Sequence, residues 1–440
     1  MISEFDFMNQ RIHPAELPPG VLYLGVPGSG KTVTMLSHTR DLCQMGIPLF
    51  GIDHKNELPA FFSSFLPADI PIYVIDPFHM DGYRIDWSAM LRTETSVDAF
   101  IKRMIPEIKG DSQPHFRNSA VLQVKFAARL LNFYSLGKWH LADLIRLAKN
   151  RRLLLHLNKL TPDMEQIPKD REDHTSTKDV QSTVETSLSL FEIYAALELH
   201  ATKYIDPYIL TDLGVGVMVM AWSDEFKSVL GAIGSFLIDS VTNRLLSRQA
   251  DEDQMTIFWL DELTSLQRLE ALENIAKRGR SSAVIPLVGC QTYEGVRSLY
   301  SPDIAEQTLG ILPYKIFFRQ TVPSAKWAAD YLGMPRVLEA INTNNAQAPW
   351  QFSVKDGHHV VTPEELRRIP TPNLRRKDSV KGFLDFPDRV GPFDISVLKK
   401  IQYNKALRRK DPVPDSYQIL PRFTADDMIR LHFPNCLSHI

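Results

Sequence analysis

Cysteine is scarce in this chain. Cys43, Cys290 and Cys436 are the three in 440 residues, and no two form a C-x-x-C pair. That excludes a cysteine-rich zinc module or a disulfide framework and fits a reducing cytosol. Long apolar runs are also missing. Nothing approaches the about eighteen uninterrupted apolar residues that mark a membrane span, so no transmembrane helix is expected. The opening Met1-Ile2-Ser3-Glu4-Phe5-Asp6 lacks the basic and apolar regions of a signal peptide. There is little net charge either: 50 basic against 52 acidic residues give −2. This neither requires nor excludes nucleic acid, because a near-neutral chain can still carry a basic channel. No internal repeat and no long low-complexity tract occurs.

What is present is a complete Walker A motif, Gly25-Val26-Pro27-Gly28-Ser29-Gly30-Lys31-Thr32. The apolar run Val21-Leu22-Tyr23-Leu24 before it reads as a buried strand. Thr32 to Met45 after it reads as a helix with Val33, Leu36, Leu42 and Met45 as its apolar stripe. Strand, glycine-rich loop and helix together cradle phosphate, because backbone N–H groups and the helix N-terminus converge on the anion. Gly25, Pro27, Gly28, Ser29 and Gly30 would form the cradle. Lys31 would reach the β- and γ-phosphates of ATP, and the Thr32 hydroxyl would bind Mg²⁺.

Length and composition suit two or three globular domains. Strands are expected at Pro48 to Asp53 and Ile72 to Asp76, each ending in an acid. Open α/β sheets build their sites at such carboxyl edges. Helical periodicity in Ala120 to Tyr134 and Val184 to Leu199, with little alternation, marks an all-helical insertion. Within it the polar stretch Thr161 to Ser176 reads as an exposed loop. Strands resume at Gly214 to Ala221, Met255 to Leu260, Val284 to Cys290 and Lys315 to Gln320, with a long apolar helix at Phe226 to Leu246. Alternating strands and helices imply a mostly parallel sheet. The expected organisation is a RecA-like P-loop NTPase domain in two parts, 1–92 and 206–350. An inserted all-α domain occupies 93–205, and a Pro-rich basic extension occupies 351–440.

The second nucleotide motif is Thr256-Ile257-Phe258-Trp259-Leu260-Asp261-Glu262, an apolar strand ending in Asp-Glu. It reads as Walker B. Asp261 would hold Mg²⁺, and Glu262 would orient and deprotonate the attacking water. Gln291, just past the next apolar run, is placed to sense the γ-phosphate; a simple strand-ending turn residue is the alternative. Arg278 and Arg280 flank Gly279, and their spacing alone suggests a solvated basic turn. The basic cluster beyond Gln351 reads as a solvated face interspersed with acids, His358-His359 as an exposed turn, and Trp139 and Trp327 as core.

Three segments together carry a resemblance: Trp259-Leu260-Asp261-Glu262-Leu263-Thr264-Ser265-Leu266, Ala276-Lys277-Arg278-Gly279-Arg280-Ser281 and Gly289-Cys290-Gln291-Thr292. They resemble the motor core of type IV secretion coupling proteins, the TraD/TraG-type ATPases of conjugation, in the FtsK/HerA-like class. Asp53-His54-Lys55-Asn56-Glu57 looks like a variant of that family's D-P-K-G-E, with His54 and Asn56 replacing its Pro and Gly. Asp76-Pro77, Trp87, Tyr300, Phe317-Phe318-Arg319 and Ala325 to Gly333 fall where the family has similar residues. The likeness spans about residues 15–370.

The resemblance implies catalytic roles for Lys31, Glu262, Gln291 and Arg280, with Arg280 as an arginine finger acting across a subunit interface. It implies ATP and Mg²⁺ as cofactors and a homo-hexameric ring that moves single- or double-stranded DNA. Relaxase or secretion-system proteins would be partners. It places the protein in the cytoplasm, meeting the inner face of the membrane through partners. Family members usually begin with transmembrane helices, and none is expected in this sequence. Two other functions fit the same motifs: a P-loop docking module for relaxase or effectors with little motor activity, and a phage or secretion ATPase acting on protein. The intact Glu262 argues against the docking module.

Overall fold

The computed structural model describes residues 4–434 except 18, 108–113, 136–138, 162–174, 248–254, 279–283, 334–335, 343–349, 357–358, 374–377, 397–400, 405–411, 415–416 and 418. The chain divides into two compact units. One comprises Met1–Gly51, Phe61–Asp69 and Leu245–Asn404; the other comprises Ile52–Ala60, Ile70–Arg244 and Lys405–Ile440.

In the first unit the strands run in the order Arg389–Ile395, Val380–Phe386, Tyr314–Phe317, Val21–Leu24, Val284–Cys290 and Thr256–Leu260, followed by Leu49 to Gly51, the start of Leu49–Asp53. Val21–Leu24 lies parallel to Tyr314–Phe317 on one side and to Val284–Cys290 on the other. Val284–Cys290 is in turn parallel to Thr256–Leu260. Val21–Leu24, Val284–Cys290 and Thr256–Leu260 are buried along their whole length. Such strands, covered on both faces, read as continuous apolar runs. The sheet is mostly parallel and of RecA-like α/β type, as the alternation of strands and helices predicts.

The helix Lys31–Gln44 follows the P-loop, but its buried face differs from the expected stripe. Leu36 and Leu42 are buried, whereas Val33 and Met45 are only partly so. Thr34, Ser37, His38 and Thr39 are buried instead. Three of these polar side chains are satisfied locally. Thr34 Oγ1 donates to Gly30 O at 2.9 Å, Thr39 Oγ1 to Met35 O at 2.8 Å, and Tyr23 Oη meets His38 Nδ1 at 2.7 Å. Buried polar groups with partners cost little, and hydropathy alone cannot anticipate them.

The stretch read as one C-terminal extension is divided between the units. Val380–Phe386 and Arg389–Ile395 form an antiparallel hairpin, and its first strand pairs antiparallel with Tyr314–Phe317. Alternate residues Val380, Leu384 and Phe386 are buried, the pattern of a half-covered strand. An N-terminal hairpin, Phe5–Phe7 with Gln10–Ile12, was not anticipated. It packs on the C-terminal one: the Phe7 and Phe386 rings stack at 5.4 Å, and Gln10 Nε2 donates to Asp388 at 2.6 Å.

The second unit has parallel strands in the order Val217–Ala221, Ile72–Ile75, Tyr83–Ile85 and Lys203–Ile205. Between the last two run the helices Trp87–Met90, Glu94–Met104, Pro114–Tyr134, Leu141–Lys149, Arg151–Leu160 and Thr175–Glu198. The expected helical insertion thus ends in a strand, Lys203–Ile205, too short to show alternation. Most of the expected loop at 161–176 lies outside the described residues; its last two residues open the helix Thr175–Glu198. Trp87, Phe100 and Phe236 form a ring cluster, with centroids 4.6 Å apart for the first pair and 4.9 Å for Phe100 with Phe236.

Phe236 belongs to the apolar helix Lys227–Ser247. The segment Asp224–Ser247 is long and apolar enough to cross a membrane by composition, yet 78% of its apolar window is buried within the protein. A helix apolar all round is what a core position requires. Trp139 is core as expected, while Trp327 is half-buried and stacks on Tyr293 at 4.1 Å.

Residues 412–434 also belong to this second unit. Asp143, wholly buried on Leu141–Lys149, accepts from Arg146 and from Arg430, both at 2.6 Å. Asp427 pairs with the same two arginines, at 3.2 and 3.1 Å. Phe433 packs edge-on to Tyr134 at 5.3 Å.

Candidate active site

Within the first unit, the strand order places three loops side by side at the carboxyl ends of parallel strands. Val21–Leu24 delivers the P-loop, Thr256–Leu260 delivers Asp261 and Glu262, and Val284–Cys290 between them delivers Gln291. This is where open α/β sheets bind ligands.

The P-loop is tethered at its base. Gly25 N donates to Cys290 O at 3.1 Å, and Val26 N to Arg319 O at 2.9 Å. Pro27 and Gly28 form the exposed tip. Gly30 has φ +101°, a left-handed backbone that favours glycine, and a Cβ there would lie 2.6 Å from Val380 Cγ1. The helix Lys31–Gln44 begins at Gly30 with no side-chain cap. Its first-turn N–H groups are therefore available to an anion. The Ser29 hydroxyl, buried in the same loop, has no hydrogen-bond partner among the described residues. An uncapped helix start and an orphaned buried hydroxyl fit a phosphate group.

Lys31 Nζ donates to Asp261 O at 3.1 Å and lies 3.9 Å from both Asp261 Oδ1 and Glu262 Oε2. Thr32 Oγ1 donates to Asp261 Oδ2 at 2.9 Å. The two residues assigned to Mg²⁺ thus lie side by side, offering the hydroxyl and carboxylate oxygens that a hard cation takes. Gln291 Nε2 donates to Glu262 Oε2 at 2.5 Å. The structure brings together Lys31, Thr32, Asp261, Glu262 and Gln291. Arg280 lies outside the described residues. Its neighbour Arg278 donates to the backbone carbonyl of Leu246.

Several contributors escaped the sequence. Thr264 Oγ1 donates to Glu262 Oε1 at 2.5 Å. Gly289 lets the backbones approach, since a Cβ there would lie 2.2 Å from Asp261 O. Gln320 Nε2 donates to Leu24 O at 2.6 Å, bracing the end of the P-loop strand. Burial pushes the Cys290 thiol up to about 12, so it is no nucleophile despite its place beside the site.

In the second unit, the Asp53-to-Glu57 segment makes a tight turn. Asp53 accepts from Glu57 N at 3.1 Å and Leu58 N at 2.9 Å, and burial pushes its carboxyl up to about 6. Asn56 has φ +51°, a left-handed conformation that asparagine tolerates better than most residues. Its amide donates to Trp222 O at 3.2 Å. Trp87 Nε1 donates to buried Glu198 at 2.7 Å, and burial pushes that carboxyl up to about 8. Of the His358-His359 pair only His359 is described; it is half-buried, with Nδ1 3.2 Å from Ala329 O. No cluster of metal-ligating side chains occurs among the described residues.

The family model for the type IV secretion-system coupling protein DNA-binding domain matches residues 19–397. The chain belongs to this coupling protein family. The coupling protein is also similar to solved structures, which share its fold at low identity. The bacterial conjugative coupling protein TrwBdeltaN70, in an unbound monoclinic form, is 14% identical with a TM-score of 0.71; the alignment covers 94% of this chain and 92% of that one. The plasmid coupling protein TrwB in complex with the non-hydrolysable ATP analogue ADPNP is 15% identical with a TM-score of 0.68, covering 94% and 93%. VirB4 of Thermoanaerobacter pseudethanolicus is 11% identical with a TM-score of 0.50, covering 92% and 97%. No curated protein matches the sequence.

Proposed function

We propose that this coupling protein is an ATP-hydrolysing ring motor that moves DNA, or a protein–DNA complex, for type IV secretion. The observation that carries the proposal is the convergence of Lys31, Thr32, Asp261, Glu262 and Gln291 at adjacent strand ends, in a chain matched by the family's DNA-binding-domain model. TrwB structures with ADPNP and with ADP and Mg²⁺ support ATP and Mg²⁺ as the ligands.

The P-loop amides and Lys31 bind the phosphates, and Thr32 and Asp261 hold the cation. Mg²⁺ supplies neutralisation of the charge that develops on the transferred phosphoryl group. Glu262 takes a proton from the attacking water as the water oxygen bonds to the γ-phosphorus and the bridging bond to ADP breaks. Gln291 contacts Glu262 now and is within the same cluster as Lys31, so loss of the γ-phosphate can be relayed to the carboxylate. Arg280 completes a neighbour's site as an arginine finger, a role worth roughly 10³–10⁵ in turnover. The ring is a homo-hexamer. The helical region meets relaxase or secretion-system proteins, which bring the ring to the inner face of the membrane.

Electron microscopy of the purified protein with a non-hydrolysable ATP analogue, with and without DNA, tests the assembly. Closed six-membered rings with DNA in the channel are expected. Protein that stays monomeric with nucleotide and DNA present would contradict the ring motor.

A further inference from the structure

We infer that Thr264 is a positioning residue for Glu262: its hydroxyl holds one carboxylate oxygen so that the other faces the P-loop. The inference rests on Glu262 being the base of hydrolysis. A glutamate side chain is long and free to turn, and a base must hold one oxygen within hydrogen-bond reach of the water. The two oxygens of Glu262 are not equivalent here. Oε1 accepts from Thr264 Oγ1 at 2.5 Å, while Oε2 accepts from Gln291 at 2.5 Å and lies 3.9 Å from Lys31 Nζ. Oε2 is thus the oxygen turned toward the phosphate-binding side.

Thr264 is itself fixed. It sits in the short 3₁₀ turn Leu263–Ser265, closed by Ser265 N donating to Glu262 O at 3.2 Å. Its methyl occupies the notch left by Gly295, where a Cβ would stand 3.1 Å from Thr264 Cγ2. Gly295 N, for its part, donates to Thr292 Oγ1 at the start of Tyr293–Tyr300. A β-branched side chain is stiff about its first torsion. With the methyl seated against Gly295, the hydroxyl is directed at the carboxylate.

The test compares Thr264→Val, Thr264→Ser and Glu262→Gln in the full chain. Turnover, KM and affinity for a fluorescent ATP analogue are measured. Thr264→Val keeps the shape and loses the hydroxyl. It is expected to lower kcat roughly tenfold, as loss of a hydrogen bond to a charged group does. Its KM and analogue affinity should be unchanged. Thr264→Ser keeps the hydroxyl and should retain most of the turnover. The positioning role is overturned if Thr264→Val matches wild type in kcat while Glu262→Gln is inactive. It is also overturned if Thr264→Ser loses as much as Thr264→Val, which would assign the effect to methyl packing. Wild-type turnover in Glu262→Gln would remove the base itself, and the inference with it.

Discussion

Glu262→Gln is expected to bind ATP with wild-type affinity and to hydrolyse it roughly 10²–10⁴-fold more slowly, the usual worth of a positioned general base. Glutamine is close in shape but has one acceptor oxygen where Glu262 has two, so it can accept from Thr264 or from Gln291, which contact separate carboxylate oxygens at 2.5 Å each. What it cannot do is take a proton from water. Binding should survive because, in the proposed site, the P-loop and Lys31 rather than this side chain would hold the phosphates. Steady-state turnover and equilibrium binding of a fluorescent ATP analogue separate the two effects. Near-wild-type turnover would sink the Walker B assignment.

Asp143→Ala is expected to produce the largest loss of stability in the second unit. Asp143 is fully buried and accepts from Arg146, Arg430 and the His140 backbone N–H, the last at 2.9 Å. Removing it leaves two guanidinium groups with Asp427 as their remaining carboxylate among the contacts described, and it uncaps the start of Leu141–Lys149. Breaking a buried ion pair by deleting one partner costs about 3–5 kcal/mol. Arg430→Ala removes a more exposed partner and should cost about 1 kcal/mol or less. Denaturant unfolding, with hydrogen exchange followed in Leu141–Lys149, measures both. A loss from Asp143→Ala no larger than that from Arg430→Ala would show that the arginines are adequately held without the buried carboxylate.

The candidate phosphate site was legible because its chemistry needs fixed residue types at fixed spacing. Gly25 to Thr32 and the apolar strand ending in Asp261-Glu262 declare themselves without coordinates. The central strands were legible for a related reason: doubly covered strands are continuous apolar runs, as in Val284–Cys290. What failed to appear in the sequence was built from distance or brevity. The N- and C-terminal hairpins meet through Phe7 and Phe386, and Arg389 donates to Met8 O at 2.6 Å, contacts that span most of the chain. Tyr83–Ile85 and Lys203–Ile205 are three residues each, too short for alternation.

The buried face of Lys31–Gln44 was misjudged because Thr34, Ser37 and His38 read as polar although they are buried. Thr264 was in plain view in the Asp261-to-Leu266 stretch. Only its 2.5 Å approach to Glu262 sets it apart from any other residue after a Walker B pair.

ATP turnover by the wild-type chain, measured with and without single- and double-stranded DNA, tests the motor proposal most directly. A motor that grips DNA couples hydrolysis to it, so turnover should rise strongly with at least one form of DNA. The stimulation should weaken as salt screens the phosphate contacts. Glu262→Gln should show no stimulation. Hydrolysis indifferent to both forms of DNA, at low and at physiological salt, would contradict a DNA-moving motor.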